Sequence, residues 1–387
     1  MMKILRLKIL SLILLVLLVA LPLLSVPHAA AADCSKTSTG NTPLTELGSN
    51  LYQGKKGGLY PDGNNALPTN VVQTGKEIAK QIQPLNKEGN PDSENGKIVF
   101  LSIGNMITSM EFQAFRRIAG SDPLKNPKVT VVNGAMEGVA ASGVATRETD
   151  LYWKGIQGIL NNSDLSPQQV QVVWLKDNNQ AQRFFPGTAE NLEQDLKMGV
   201  QNLKREYVNL KIVYVSSSVY DGYDVTRDIP EPYAYETGFG VKWLIEAQLN
   251  GDPEVNYDLS KGPVKAPLLR WGPYLWADGT NQRKVDNLSW QCSDFDDTGT
   301  NPSDTGQAKV AQLLLNFLQR DPVARTWYLS EKAQSSTVEQ LVFTQPFPTE
   351  LMAVPVVAIL VTAVLLVRFV KNRREANEEP EQPSNLE

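Results

Sequence analysis

Histidine is almost absent: the 387 residues contain one, His28. It falls within a stretch near the start that reads as a secretory signal, so the exported chain is expected to carry none. A mechanism that needs an imidazole, as the base of a Ser-His-Asp triad or as a metal ligand, is thereby excluded unless a partner supplies it. Cysteine is nearly as scarce, with Cys34 and Cys292 the two present. Two thiols cannot build a cysteine-rich zinc site, and neither a metal nor another cofactor is expected. Blocks of positive charge are missing too, apart from one cluster near the carboxyl end. The 37 basic residues fall to 34 once Lys3, Arg6 and Lys8 are set aside with the signal, against 42 acidic ones. Nucleic acid is therefore not an expected partner.

Both ends differ from the middle. Lys3, Arg6 and Lys8 precede an apolar block at 9–24 and a small-residue stretch at 29–32 with an A-x-A pattern, which predicts a signal peptide over 1–32. Near the other end, 351–367 is an uncharged run of 17 residues followed by Arg368, Lys371, Arg373 and Arg374. That is close to the length needed to cross about 30 Å of hydrocarbon, and the basic cluster fits the positive-inside rule. A transmembrane helix at 350–370 is predicted, with a linker at 326–349 before it and a cytoplasmic tail at 371–387 after it. The lead-in Gln345-Pro-Phe-Pro-Thr349 faintly resembles a PEF-CTERM-type sorting tail. The expected placement is a single-pass protein of the cell membrane with its main domain outside. On that side Cys34 and Cys292 can form a disulfide. Paired, they close a loop of roughly 250 residues and contribute on the order of 5 kcal/mol by the chain-entropy model; the alternative is two free thiols.

Residues 33–94 read as an extracytoplasmic arm, rich in Gly, Asn, Thr and Pro over 33–67 and with a short helix at 71–82. From Lys97 a regular alternation begins. "KIVFLSI" (97–103), "KVTVVN" (128–133), "VQVVWLK" (170–176), "KIVYVSS" (211–217) and "PLLRWG" (267–272) are dense in β-branched residues. Helical stretches at 109–118, 148–160, 188–207, 234–249 and 305–319 follow them. Strand and helix alternating five times predicts a flavodoxin-like three-layer αβα sandwich around a doubly wound, mostly parallel sheet, over 95–325. Ligands bind such sheets at the carboxyl ends of the strands, which directs attention to the loops there.

Those loops carry "SIGNMITS", "NGAMEG", "WLKDNN" and "DFDDTGTNPSDTGQ". In this order they resemble the SGNH/GDSL hydrolases, over about residues 97–320. The resemblance implies an esterase-type site: a Gly-x-Ser turn bearing the nucleophile, a Gly and an Asn completing an oxyanion hole, and an Asp-x-x-His supplying the base. Gly104 and Asn105 match the turn, but Met106 stands at the nucleophile's place. Gly134 and Asn178 match the second and third blocks. Asp297 or Asp296 matches the base block's Asp, while Asn301 replaces its His. The pattern is that of a member lacking the catalytic Ser and His.

Other residues are candidates for the chemistry. Ser102, Thr108 and Ser109 offer hydroxyls; Glu111, Asp177, Asp296 and Asp297 offer carboxylates, and a pair about 5 to 9.5 Å apart supports glycoside chemistry. The competing structural roles are Thr108 and Ser109 as helix caps with Glu111 near N3, and Asp296 as a brace for its loop. Two aromatic clusters, including Tyr220, Tyr223, Tyr274 and Trp276, follow strands and suit a sugar-binding cleft; packing of long loops is the other reading. Together these observations predict a membrane-anchored extracytoplasmic protein that binds a glycan or acylated envelope polymer without standard esterase activity. The alternatives are an atypical carboxylate-using hydrolase and a structural surface module.

Overall fold

Each of the five runs rich in β-branched residues forms a strand, and the amphipathic stretches between them form helices. In the computed structural model the described residues are 31–146, 150–179, 184–225 and 231–335. Strands β1 (Ile98–Gly104), β2 (Val129–Asn133), β3 (Val170–Lys176), β4 (Ile212–Val215) and β5 (Leu268–Trp271) are all parallel, in the order β2-β1-β3-β4-β5. The chain leaves β1 to one side and returns to the other, so a switch point lies between β1 and β3.

Every residue of β1 and β3 is buried, which requires helices over both faces of the sheet. The main helices are α1 (Thr69–Ala79), α2 (Met106–Gly120), α3 (Ala141–Thr146), α4 (Asp150–Asn162), α5 (Gly187–Glu206), α6 (Tyr233–Leu249) and α7 (Asp304–Arg320). Helix α2 packs on α7, and α5 packs on both α3 and α6. Between sheet and helices, Phe112 stacks on Trp174 with ring centres 5.6 Å apart, and Phe100 meets Phe112, Phe115 and Trp327 edge-on. One irregularity interrupts the register of β1 and β3, where Val99 pairs with Val170 and Phe100 with Val172. The extra residue, Gln171, donates from Nε2 to the carbonyl of Gln83 at 2.7 Å and ties the chain after α1 to the sheet.

Residues 326–335, expected in a linker, are part of this body. All but Leu329 and Ser330 lie in two short helices, α8 (Ala324–Tyr328) and α9 (Glu331–Ser335). Trp327 is buried and donates to Tyr214 Oη at 3.3 Å, and Tyr328 donates to Asp122 at 2.9 Å. Among the described residues no helix is long and apolar enough to cross a membrane. The span expected at 350–370 lies outside the described residues, as does all of the expected signal except its last two positions.

The arm is ordered by what it covers. Leu44, in a single helical turn at Leu44–Leu47, is fully buried. Its N–H donates to Tyr274 Oη at 3.2 Å, while Tyr235 Oη donates to the Thr42 carbonyl at 2.9 Å and Tyr220 Oη to that of Lys36. Asp278 accepts from the Thr39 N–H and hydroxyl at 2.6 and 2.8 Å and from the Ser38 hydroxyl. Burial alone would raise the Asp278 carboxyl; these bonds and one from Asn281 outweigh it and hold the group below the ordinary range. The arm is stapled at its start by a disulfide between Cys34 and Cys292.

Candidate functional site

The switch point opens onto a cleft of about 640 Å³. The chain after β1 supplies Asn105, Met106 and Ile107; the chain after β3 supplies Asn178 and Asn179; α5 adds Asn191, Gln194 and Asp195. Tyr233 of α6 and the loop residues Thr300 and Asn301 complete one side. Met106 and Asn301, 195 positions apart, thus line one cavity.

The turn after β1 is set by sterics. Gly104 has φ +149°, and a Cβ there would lie 2.0 Å from the Lys176 carbonyl, so only glycine lets β1 run this close to β3. Asn105 then caps α2, its Oδ1 accepting from the Thr108 N–H at 3.2 Å. This corrects the expectation that Thr108 or Ser109 caps the helix. The helix starts three residues earlier; Thr108 Oγ1 donates to the Lys176 carbonyl at 2.6 Å, and Ser109 accepts from Asn133 at 3.0 Å. Asn105 Nδ2 lies 3.5 Å from Asn178 Oδ1, and Asn178 Nδ2 donates to Ser218 Oγ at 3.3 Å.

On the opposite loop, Asn301 Nδ2 donates to Asp296 Oδ2 at 2.9 Å, and the Asp296 N–H donates to the Asn301 carbonyl at 2.8 Å. Asp296 Oδ1 also accepts from the Thr298 hydroxyl at 2.6 Å. Burial would raise its carboxyl, but bonds from Thr298 and Asn301 prevail and lower it. The partner of Asn301 is therefore Asp296. Asp297 is exposed, and its carbonyl accepts from Ala32 N–H at 2.7 Å. At the three-residue spacing from Asn301 stands Thr298, whose hydroxyl is spent on Asp296.

The remaining candidates do not gather. Ser102 is buried within β1, donating to Asn133 Oδ1 at 2.8 Å and accepting from the Gly134 N–H at 3.2 Å. Gly134 consequently turns its amide into the sheet rather than toward the cleft. Glu111 is buried in α2, with Lys176 Nζ 3.0 Å from Oε1 and 2.9 Å from Oε2. Burial raises its carboxyl despite that partner. Asp177 is buried beside them, and loss of solvent pushes its carboxyl well above the usual range.

The four aromatic residues expected to wall a cleft are also elsewhere. Tyr220, Tyr223, Tyr274 and Trp276 are buried, packed with each other and with Tyr235, Phe295 and Trp271. They follow β4 and β5, as expected from the sequence, but the arm lies over this region. Asp195 and Asn179 were missed by sequence reasoning. Asn179 accepts from the Ser142 N–H at 2.9 Å and donates to Asp195 at 2.6 Å, while its N–H donates to Tyr233 Oη at 3.3 Å. Burial raises the Asp195 carboxyl above its ordinary value, the bond from Asn179 offsetting only part of this. Among the described residues no group of three His, Cys, Asp or Glu side chains is placed to hold a metal ion.

Among solved structures, the chain is similar to a Bacteroides fragilis protein provisionally described as an acylhydrolase, at 10% identity over 67% of this chain and 100% of that one, TM-score 0.33. It is also similar to a salicylyl-acyltransferase from a tetracycline biosynthetic pathway (15% identity, 60% and 58% covered, TM-score 0.30). A third is the periplasmic domain of a lipopolysaccharide acetyltransferase from Salmonella ser. Paratyphi A (12% identity, 64% and 95% covered, TM-score 0.31). These neighbours are of acylhydrolase and acyltransferase type. No protein-family model matches the chain, and no curated protein does.

Proposed function

We propose that the protein is a membrane-anchored, extracytoplasmic binding protein of the SGNH-like fold that holds a glycan or acylated envelope polymer in this cleft without hydrolysing it. The observation that carries the reading is the convergence of Met106 and Asn301 on one cavity. A thioether stands where a hydroxyl nucleophile is needed, and an amide bonded to Asp296 stands where a base is needed. Neither group can take a proton at neutral pH. The atypical-hydrolase alternative loses support, because Ser102 and Glu111 are buried in other contacts, and neither the buried Asp177 nor the exposed Asp297 lines the cleft.

The test uses the full chain, purified in detergent, with p-nitrophenyl acetate and a panel of polysaccharides. Hydrolysis is expected to match a heat-treated sample, while at least one polysaccharide retards the protein. Hydrolysis that disappears in Asp296→Ala would sink the non-catalytic reading. A Met106→Ser, Asn301→His double variant is expected to gain esterase activity of at least about a hundredfold, the lower end of what a positioned general base contributes. A folded double variant that stays inert would separate this cleft from any esterase ancestry.

A further inference from the structure

Resting on that binding reading, we infer that the cleft takes an uncharged, hydroxyl-rich unit, a neutral hexose or N-acylhexosamine, and rejects anionic polymers, with Asp195 making the distinction. The composition of the walls points this way. Six carboxamides line the cavity: Asn105, Asn178, Asn179, Asn191, Gln194 and Asn301. Asn191 and Gln194 each offer a donor and an acceptor, as a sugar hydroxyl does, while Asn105, Asn178, Asn179 and Asn301 are bonded to neighbouring protein groups and contribute the further lone pairs and N–H groups that a carboxamide carries. Asp195 and Glu137 add two carboxylates, and the described lining residues include no lysine or arginine. Lys176, the last residue of β3, is buried in a pair with Glu111 and is not among the lining residues.

A uronate, sulfate or phosphate group is bound well by charge-assisted donors, usually Arg or Lys. Here it would be brought next to a carboxylate with no cation among the described lining residues to offset the repulsion, which is how a site discriminates against a wrong partner. Three positive elements do reach the cavity, the amino ends of α2, α5 and α6, whose first-turn residues Met106, Thr188 and Tyr233 line it, each worth about half a charge. Asn105 takes a first-turn amide of α2 and Glu231 one of α6, and the two full charges of Asp195 and Glu137 exceed what remains.

Asp195 is the better placed of the two acids, since Glu137 is exposed at the rim. Asn179 fixes Asp195 from one side while accepting from Ser142, so the carboxylate is held between α3 and α5 before any ligand arrives. A carboxylate accepts at four lone pairs, which leaves capacity for a ligand hydroxyl after the bond to Asn179.

The experiment compares matched pairs of polymers in native affinity gels with the full chain in detergent. Dextran is set against dextran sulfate, and methyl-esterified polygalacturonate against its free acid; chitin oligomers serve as soluble competitors. Retention by a neutral member and not by its charged partner supports the inference. Asp195→Asn should weaken that retention about tenfold, as expected for a lost bond to a charged acceptor, with an unchanged melting temperature. Asp195→Lys should shift retention toward the anionic member. Equal retention by both members, or retention by the anionic member alone, overturns the inference and leaves cleft binding intact. Retention by neither member of any pair overturns the binding reading, and this inference with it.

Discussion

At the scale of single residues, the loop carrying Asn301 illustrates how an amide can hold a turn without a titratable group. Asn301 makes a donor bond to Asp296 that an imidazole N–H could make, so the loop keeps its form without a titratable ring. Which aspartate answers Asn301 was not legible in the sequence, because two adjacent carboxylates differ only in the direction the backbone gives them. A second residue has a testable titration. Burial pushes Glu231 up to about 7, against opposing bonds from Trp276 Nε1 at 2.8 Å and two backbone N–H groups. Between its ordinary value near 4.5 and about 7, the folded chain holds a proton that the unfolded chain has released. Stability from this group is thus full below that interval and lost as pH rises through it. Glu231 keeps an edge at the surface, so the change amounts to at most about 3 kcal/mol. Urea denaturation from pH 4.5 to 8 should show wild type losing stability relative to Glu231→Gln as pH rises; a flat difference would remove Glu231 from the account.

At the scale of elements, all five strands were legible, because parallel strands buried on both faces must be dense in β-branched residues. Their order was not, since composition says nothing of who lies beside whom. The helix Ala141–Thr146 escaped notice for the opposite reason: "ASGVAT" has small residues and a glycine where a helical stripe would show. Beneath the site, the pairing of Glu111 in α2 with Lys176 in β3 joins groups 65 residues apart, a distance in sequence over which nothing local hints at a contact. Both side chains are almost fully enclosed, with 0% and 5% exposure. Removing one partner strands a buried charge, so Glu111→Ala should cost about 3–5 kcal/mol, and converting both residues to Met should recover most of it. Chemical denaturation measures this; a loss below about 1 kcal/mol would mean that the ammonium finds water or another acceptor.

At the scale of the whole molecule, the arm explains why the aromatic loops misled. Tyr and Trp after strand ends suit a sugar platform and suit a buried seam equally, and only a covering segment far away in sequence decides between them. The residues 31–67 that decide it show no period that would announce where they dock. The disulfide at their start spans 258 positions, and by the chain-entropy model it contributes about 5 kcal/mol. A Cys34→Ser variant should therefore unfold at lower denaturant by about that amount, with dithiothreitol producing the same change in wild type and none in the variant. Equal midpoints with and without reductant in wild type would show that the arm is held by its hydrogen bonds alone.

The same staple imposes an order on biosynthesis. Cys34 is among the first residues to leave the ribosome, and its partner follows only after 257 more have been added. Until then the seam formed by Tyr220, Tyr235 and Tyr274 has its covering strip available but unfastened. The last-made loop that locks the strip is also the loop carrying Asn301, so a chain truncated before Cys292 loses the fastening and the cleft wall together.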